Sequence, residues 1–167
     1  MSKATEPVYE SLRLAESLDE AVKSTFEVIL GERPTCCGSV DDSSLCPGMV
    51  GIIAVIGDVS WSLSLAFSSE TAVRVAKKFA GFEIEYDSAD MADVVGELAN
   101  VLAGDVVARL DELGIKAALS LPTVARVSDL NLSEPGAVES LRLKYSTSEG
   151  TFLVGLAVGK SIKNSLG

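Results

Sequence analysis

The residues of this sequence whose types and spacing could do chemistry are Asp93, Glu97, Asn100 and Gly104. At about 100° per residue they fall, with Asp111, within about 60° of one another on one side of a helix over 88–113, while Met91, Val95, Leu98, Leu102 and Val106 point the other way. The core-facing stripe is complete without them. What remains outside is a ribbon of two carboxylates one turn apart, a carboxamide a turn further, then a glycine. A solvated helix face ordinarily spends such positions on stabilising pairs of opposite charge. Here Asp93 and Glu97 stack like charges, at a cost of roughly a few tenths of a kcal/mol, and Gly104 costs up to about 1 kcal/mol relative to alanine. Local rules broken together on one ribbon mark a functional surface; a plain acidic solvent face is the alternative that periodicity leaves open.

The rest of the composition limits what that ribbon could do. The chain has no histidine, which removes His-based triads, His metal sites and imidazole acid–base chemistry. Catalysis must run on carboxylates, amides, hydroxyls, lysines, thiols or a borrowed metal. Cys36, Cys37 and Cys46 lie in one short Gly/Ser/Asp-rich stretch, and a zinc site there would need Asp41 or Asp42 as its fourth ligand. Reduced thiols in a loop or edge segment are the simpler reading. A cysteine-nucleophile hydrolase would need a base beside Cys36 or Cys37, and no histidine exists to be one. Near the end, Gly155, Gly159, Lys160 and Ser161 imitate a phosphate-binding loop, but three residues rather than four separate the glycines, and the pattern around them is that of a strand.

The elements that must position the ribbon read as follows. Residues 8–30 repeat apolar side chains every three or four positions and stop at Gly31 before Pro34, which is an amphipathic helix. Residues 33–48 read as loop. Residues 49–56 and 59–67 form a β-hairpin turning at Gly57-Asp58, and a helix over 69–80, capped by Ser68 or Ser69, ends at Gly81. The ribbon helix opens at Asp87 or Ser88 and stops at Gly114; residues 116–121 and 124–127 are extended around Pro122, 128–138 is a loop, and 139–146 with 151–159 make a second hairpin. Residues 1–7 and 160–167 read as mobile tails of one domain spanning 1–167. Each half thus runs long helix, glycine stop, Pro-Thr stretch and hairpin, a weak internal duplication. The expected fold class is α+β: two long helices packed on an antiparallel-rich sheet built from hairpins.

With 47% hydrophobic and 23% charged residues, the chain can bury a full core. A net charge of −10 argues against a nucleic-acid partner. No apolar run is long enough to span a membrane, and the polar N-terminus does not signal secretion, so a cytoplasmic location is expected.

The run Asp93-Val-Val-Gly-Glu97-Leu-Ala-Asn100-Val-Leu-Ala-Gly104-Asp resembles the signature of the CheC/CheX/FliY family of response-regulator phosphatases, with Leu119-Ser-Leu-Pro122-Thr123 similar to that family's Pro-Thr strand turn. A single motif in a chain of this length is closest to the CheX branch, because Glu16, Glu20 and Lys23 of the first helix place lysine where a second motif would need asparagine. The resemblance implies a CheC/CheX-like fold, a homodimer formed through the sheet, and hydrolysis of the aspartyl phosphate of a CheY-like receiver domain. It also implies no cofactor of the chain's own, Mg²⁺ being carried by the receiver. Asn100 would position the attacking water, Glu97 would pair with the partner's active-site lysine, Asp93 would support orientation or docking, and Gly104 would let the partner approach closely. The alternative is a non-catalytic protein-binding module of the same fold, as in flagellar switch proteins.

Overall fold

The computed structural model describes residues 6–40, 47–128 and 139–159. Three helices, α1 (Glu6–Leu30), α2 (Ser69–Ala80) and α3 (Ala89–Glu112), accompany seven strands: β1 (Thr35–Ser39), β2 (Gly48–Gly57), β3 (Ser60–Ser68), β4 (Ala117–Leu119), β5 (Thr123–Val127), β6 (Glu139–Thr147) and β7 (Gly150–Val158). The strands make one antiparallel sheet in the order β1-β6-β7-β3-β2-β4, with β5 also pairing β2. The α+β expectation, long helices on a sheet of hairpins, holds.

The helices form where the side-chain periodicity demands it. Leu18, Ala21, Val22, Phe26 and Leu30 of α1 are buried at three- and four-residue intervals. Ser68 rather than Ser69 caps α2, accepting the Thr71 N–H at 3.3 Å, and Gly81 ends it in the left-handed conformation at φ 85°. Along β3 the buried Trp61, Leu63, Leu65 and Phe67 alternate with serines, and the same alternation places Phe152, Val154 and Leu156 of β7 on the inner face. Phe26 fastens α1 to that face: its ring stacks on Phe152 at 4.3 Å and meets Phe67 at 6.3 Å, and Tyr145 of β6 stacks on Phe152 at 5.4 Å.

One segment departs from the sequence reading. Within the expected loop 33–48, residues Thr35–Ser39 form the edge strand β1, pairing with β6 and interrupted by a register shift that includes Gly38 at φ 93°. Its sequence, TCCGS, shows no alternation because only its partly buried Cys36 packs against the core. The pairing is supplied by a strand about a hundred residues away, as the register Cys36↔Tyr145 shows. Helix α1 starts at Glu6, two residues inside the expected N-terminal tail. Residues 1–5 of that tail, Cys46, Asp41, Asp42, most of the expected loop 128–138 and the expected tail 160–167 lie outside the described residues.

The sheet order gives the duplication a geometric form. Each half contributes a hairpin, β2-β3 or β6-β7, whose second strand lies at the sheet centre. The strand that follows each long helix pairs with the other half's hairpin, β1 with β6 and β4 and β5 with β2. Tyr145 joins the two halves: fully buried, it donates its hydroxyl to Asp19 Oδ1 at 2.9 Å. Burial of the ring, with Asp19 beside it, pushes the phenol well above its usual range, so it remains a donor. Tyr145→Phe is expected to lower the unfolding free energy by about 1–2 kcal/mol in urea titrations; an unchanged midpoint would show that the bond contributes nothing to stability.

Candidate functional site

Helix α3 is held at both ends and along one side. At its start, Ser88 Oγ accepts the Met91 N–H at 3.2 Å and donates to the Glu85 carbonyl at 2.6 Å. Arg126 of β5 donates to the carbonyls of Ser88 at 2.6 Å and Tyr86 at 3.0 Å, with its guanidinium 5.8 Å from the Tyr86 ring centroid. Partial burial raises the Tyr86 phenol above its ordinary pKa, opposed by the Arg126 charge. At the far end Gly114, at φ 79°, turns the chain back, and the Lys116 N–H is received by Asp58 Oδ2 at 2.9 Å. Along the flank facing α1, the Ser24 hydroxyl donates to Asp105 Oδ2 at 2.8 Å, and Arg109 donates to the same oxygen at 3.2 Å and to Ser24 Oγ at 3.1 Å.

Underneath, α3 lies close to β2. A Cβ placed on Gly51 would come 2.9 Å from Ala99 Cβ and 3.3 Å from the Val95 carbonyl, so no larger residue fits beneath the helix at its present height. Val95 and Ala99 sit about 160° around the helix from Glu97. The ribbon is therefore aimed away from the sheet: Asp93, Glu97, Asn100 and Gly104 are all exposed, as is Asp90 one turn ahead of them.

Exposure alone is ordinary for charged residues; what distinguishes the ribbon is that a carboxamide and two carboxylates are aligned on it without internal partners. The side chains of Asp93, Glu97 and Asn100 make no ion pair or hydrogen bond with any other described residue. Asp111, placed on the same side by its angle, is engaged by Lys116 and so does not belong to the bare ribbon. A Cβ on Gly104 would meet nothing within 4 Å, so packing within this chain does not require glycine there.

On the corresponding ribbon of α1, Glu16 is likewise exposed without a partner among the described residues, but Glu20 and Lys23 are engaged. Arg33 grips Glu20 at 2.7 and 2.8 Å and Glu27 at 3.0 Å, and this bond holds the Glu20 carboxyl below its ordinary pKa. Lys23 pairs with Asp19 at 2.8 Å. These side chains serve the fold, in keeping with the lysine at the position a second motif would need.

The remaining sequence candidates resolve simply. Gly155 lies inside β7 opposite Ser64, whose hydroxyl an added Cβ would meet, so it holds a strand position and not a phosphate-binding loop. Cys36 and Cys37 are free thiols on the edge strand β1. Among the described residues no cluster of three or more cysteines or carboxylates could hold a metal ion, and no described helix is long and apolar enough to cross a membrane. Sequence reasoning missed Arg126 as the tether of α3 and Asp90 as a fourth exposed polar group on its ribbon. Asp90 could have been found by extending the 100° projection one turn toward the N-terminus. Arg126 carries no local signal, because its acceptors lie about forty residues upstream.

Known proteins resemble this chain in sequence and in fold. The sequence profile described as chemotaxis phosphatase CheX matches residues 49–146, which include the ribbon helix and its supporting strands. CheY-P phosphatase CheX of Thermotoga maritima is 29% identical over 141 residues, covering 82% of this chain and 90% of that protein. A CheC-like superfamily protein from Shewanella sp. PV-4 superposes with a TM-score of 0.76 at 18% identity, covering 88% of this chain and 97% of its own. The CheX–CheY–BeF3–Mg²⁺ complex from Borrelia burgdorferi gives a TM-score of 0.70 at 22% identity, covering 87% and 97%. With the profile matching more than half its length, the chain belongs to the chemotaxis phosphatase CheX family.

Proposed function

We propose that this chain is a phosphatase that hydrolyses the aspartyl phosphate of a phosphorylated receiver domain of the CheY type. The observation that carries the proposal is the pairing of Glu97 and Asn100 one turn apart on an exposed helical ribbon, neither engaged by another described residue. Family membership supports the reading, as does the T. maritima relative, which bears the name CheY-P phosphatase. The B. burgdorferi structure, whose CheX is bound to CheY with BeF3 and Mg²⁺, suggests the same partner and suggests that the metal stays with it.

The substrate is a mixed anhydride, so little covalent work is asked of the enzyme. Water attacks phosphorus, the bond from phosphorus to the acyl oxygen breaks, and inorganic phosphate leaves an aspartate carboxylate behind. What the catalyst supplies is placement of the water and a complementary field. Asn100 is suited to placing the water, since its amide both donates and accepts and does not titrate. Glu97 lies one turn back, where Cβ atoms are about 5–6 Å apart, and takes the lysine of the receiver's active site as its partner, fixing the register of the two proteins. Asp93 extends the negative field by one further turn and supports orientation. Magnesium, held in the receiver's own pocket, supplies the positive charge that the transferring phosphoryl group needs.

Gly104 belongs to the same contact, its missing side chain leaving room for a partner's backbone. A homodimer formed through the sheet accompanies this proposal; the sheet face turned away from the helices carries Val50, Ile52, Ala66, Val127 and Leu153 in one apolar cluster, which favours it. A pure docking module would have no need of an uncharged amide at position 100, which is why the catalytic reading is preferred.

In assays of phosphate release from a phosphorylated receiver with magnesium, Asn100→Ala is expected to lower kcat by about 10²–10³-fold while binding persists; full activity in that variant would refute the assignment. Glu97→Ala is expected to weaken binding by about 30-fold or more and to slow turnover with it, and if neither changes, its lysine partnership is wrong. Gly104→Ala is expected to raise the unfolding free energy by about 0.5–1 kcal/mol, whereas Gly104→Leu lowers kcat/KM. A Gly104→Leu protein of normal activity would show that no partner approaches there.

A further inference from the structure

Beside the ribbon, the turn between β4 and β5 carries a leucine that the fold does not use. Leu121 is 88% exposed, yet the turn holding it is firmly fixed. Ser120 exchanges backbone contacts with β2, its N–H donating to the Ala54 carbonyl at 3.0 Å, while its hydroxyl accepts the Ala54 N–H at 3.0 Å and donates to the Leu121 carbonyl at 2.9 Å. On the other side of Leu121, the Pro122 ring lies against α3 at Gly96, where an added Cβ would stand 3.6 Å from its Cγ. Gly96 precedes Glu97 and sits about 40° around the helix from Asn100. The leucine is thus presented from a rigid turn along the Asn100 border of the ribbon.

The opposite border is apolar as well. Val101, about 40° beyond Glu97 on the side facing α1, is 41% exposed. An acidic strip of Asp90, Asp93 and Glu97, without a cationic partner among the described residues, therefore runs between Leu121 on one side and Val101 on the other. Large apolar side chains fixed in water around unpartnered charge are what a binding surface presents before its partner arrives, with the apolar anchors supplying affinity and the charges orientation.

We infer that Leu121, with Val101 across the ribbon, is the apolar anchor by which this chain docks the receiver domain, seated on an apolar patch beside the lysine of the receiver's phosphorylation pocket. The inference rests on the proposed function for the identity of the partner. Charge complementarity selects that occupant: the strip demands a cation at the centre of the contact, and the two borders demand carbon around it. Leu121 touches no reacting atom in this arrangement. It sets how tightly the partner is held and leaves the water-placing step to Asn100.

The test separates affinity from chemistry. A receiver domain loaded with beryllofluoride and Mg²⁺ is titrated with the full chain and with Leu121→Ala and Leu121→Asp, and phosphate release from the phosphorylated receiver is followed in parallel. Leu121→Ala is expected to raise Kd and KM about tenfold, and Leu121→Asp further, with kcat at saturation within about twofold of the parent. Thermal midpoints equal to the parent's are expected as well, since the side chain is exposed. An unchanged Kd for Leu121→Asp overturns the inference, and so does a fall in kcat at unchanged KM. A parent chain that binds the loaded receiver through Leu121 but releases no phosphate would refute the proposed activity and leave the docking assignment standing.

Discussion

The arrangement of the ribbon depends on how closely α3 lies against β2. Gly51 has no side chain, and Ala99 above it has only a methyl, so the helix is seated at a height that no larger pair would permit. Val95 and Ala99 face the strand, which turns Glu97 and Asn100 outward with little rotational freedom. Gly96 has the same role on the adjoining side, where Pro122 and Val124 crowd the helix. Three small residues at successive contacts set both the height and the rotation of one helix, and the Arg126 tether fixes its start. An interaction that must place a carboxamide in another protein's pocket needs that kind of rigidity, because the partner supplies the metal and the phosphoryl group and this chain supplies only positions.

The two halves show how one framework can be used in two ways. Both begin with a long helix over the same sheet, and both helices carry outward acidic residues. On α1 three of the acids are engaged internally, Glu20 and Glu27 by Arg33 and Asp19 by Lys23 and Tyr145, while Glu16 is exposed without a partner among the described residues. On α3 the flank facing α1 is treated likewise, Asp105 being held by Ser24 and Arg109, but the outer ribbon is left bare. The contrast lies between ribbons rather than between helices. On the outer ribbon of α3, Asp93, Glu97 and Asn100 stand together without a partner among the described residues.

Much of this was legible in the order of residues. The helix limits followed from periodicity and caps: Ser88 and Gly114 bracket α3, and Ser68 and Gly81 bracket α2. The hairpins followed from alternation, and the ribbon followed from projecting Asp93, Glu97, Asn100 and Gly104 onto a helix. The edge strand β1 was not legible, since a strand with only one partly buried cysteine on the core carries no alternation and exists because β6 arrives to pair with it. Nor was the engagement of Asp111 by Lys116 visible in the helical projection, because the lysine comes from beyond the helix end. Leu121 was hidden for a related reason. In an apolar run it reads as strand, whereas β4 ends at Leu119 and β5 begins at Thr123. What a local pattern cannot report is which neighbour arrives from elsewhere in the chain, and exposure is decided by that neighbour.

The ribbon also shows where stability has been given up. Alanine at position 104 would suit a helix better and would touch no other described residue. Asp93 and Glu97 repel each other at the spacing where a lysine would attract. Asn100 stands where a residue of higher helix propensity would cost nothing in packing. None of these choices is compensated by a contact with a described residue, in contrast to Gly51, where an added Cβ would stand 2.9 Å from Ala99 Cβ. A glycine explained by its neighbours speaks of the fold. A glycine with open space above it, in line with an unpartnered amide and carboxylate, speaks of something that must fit against the helix from outside.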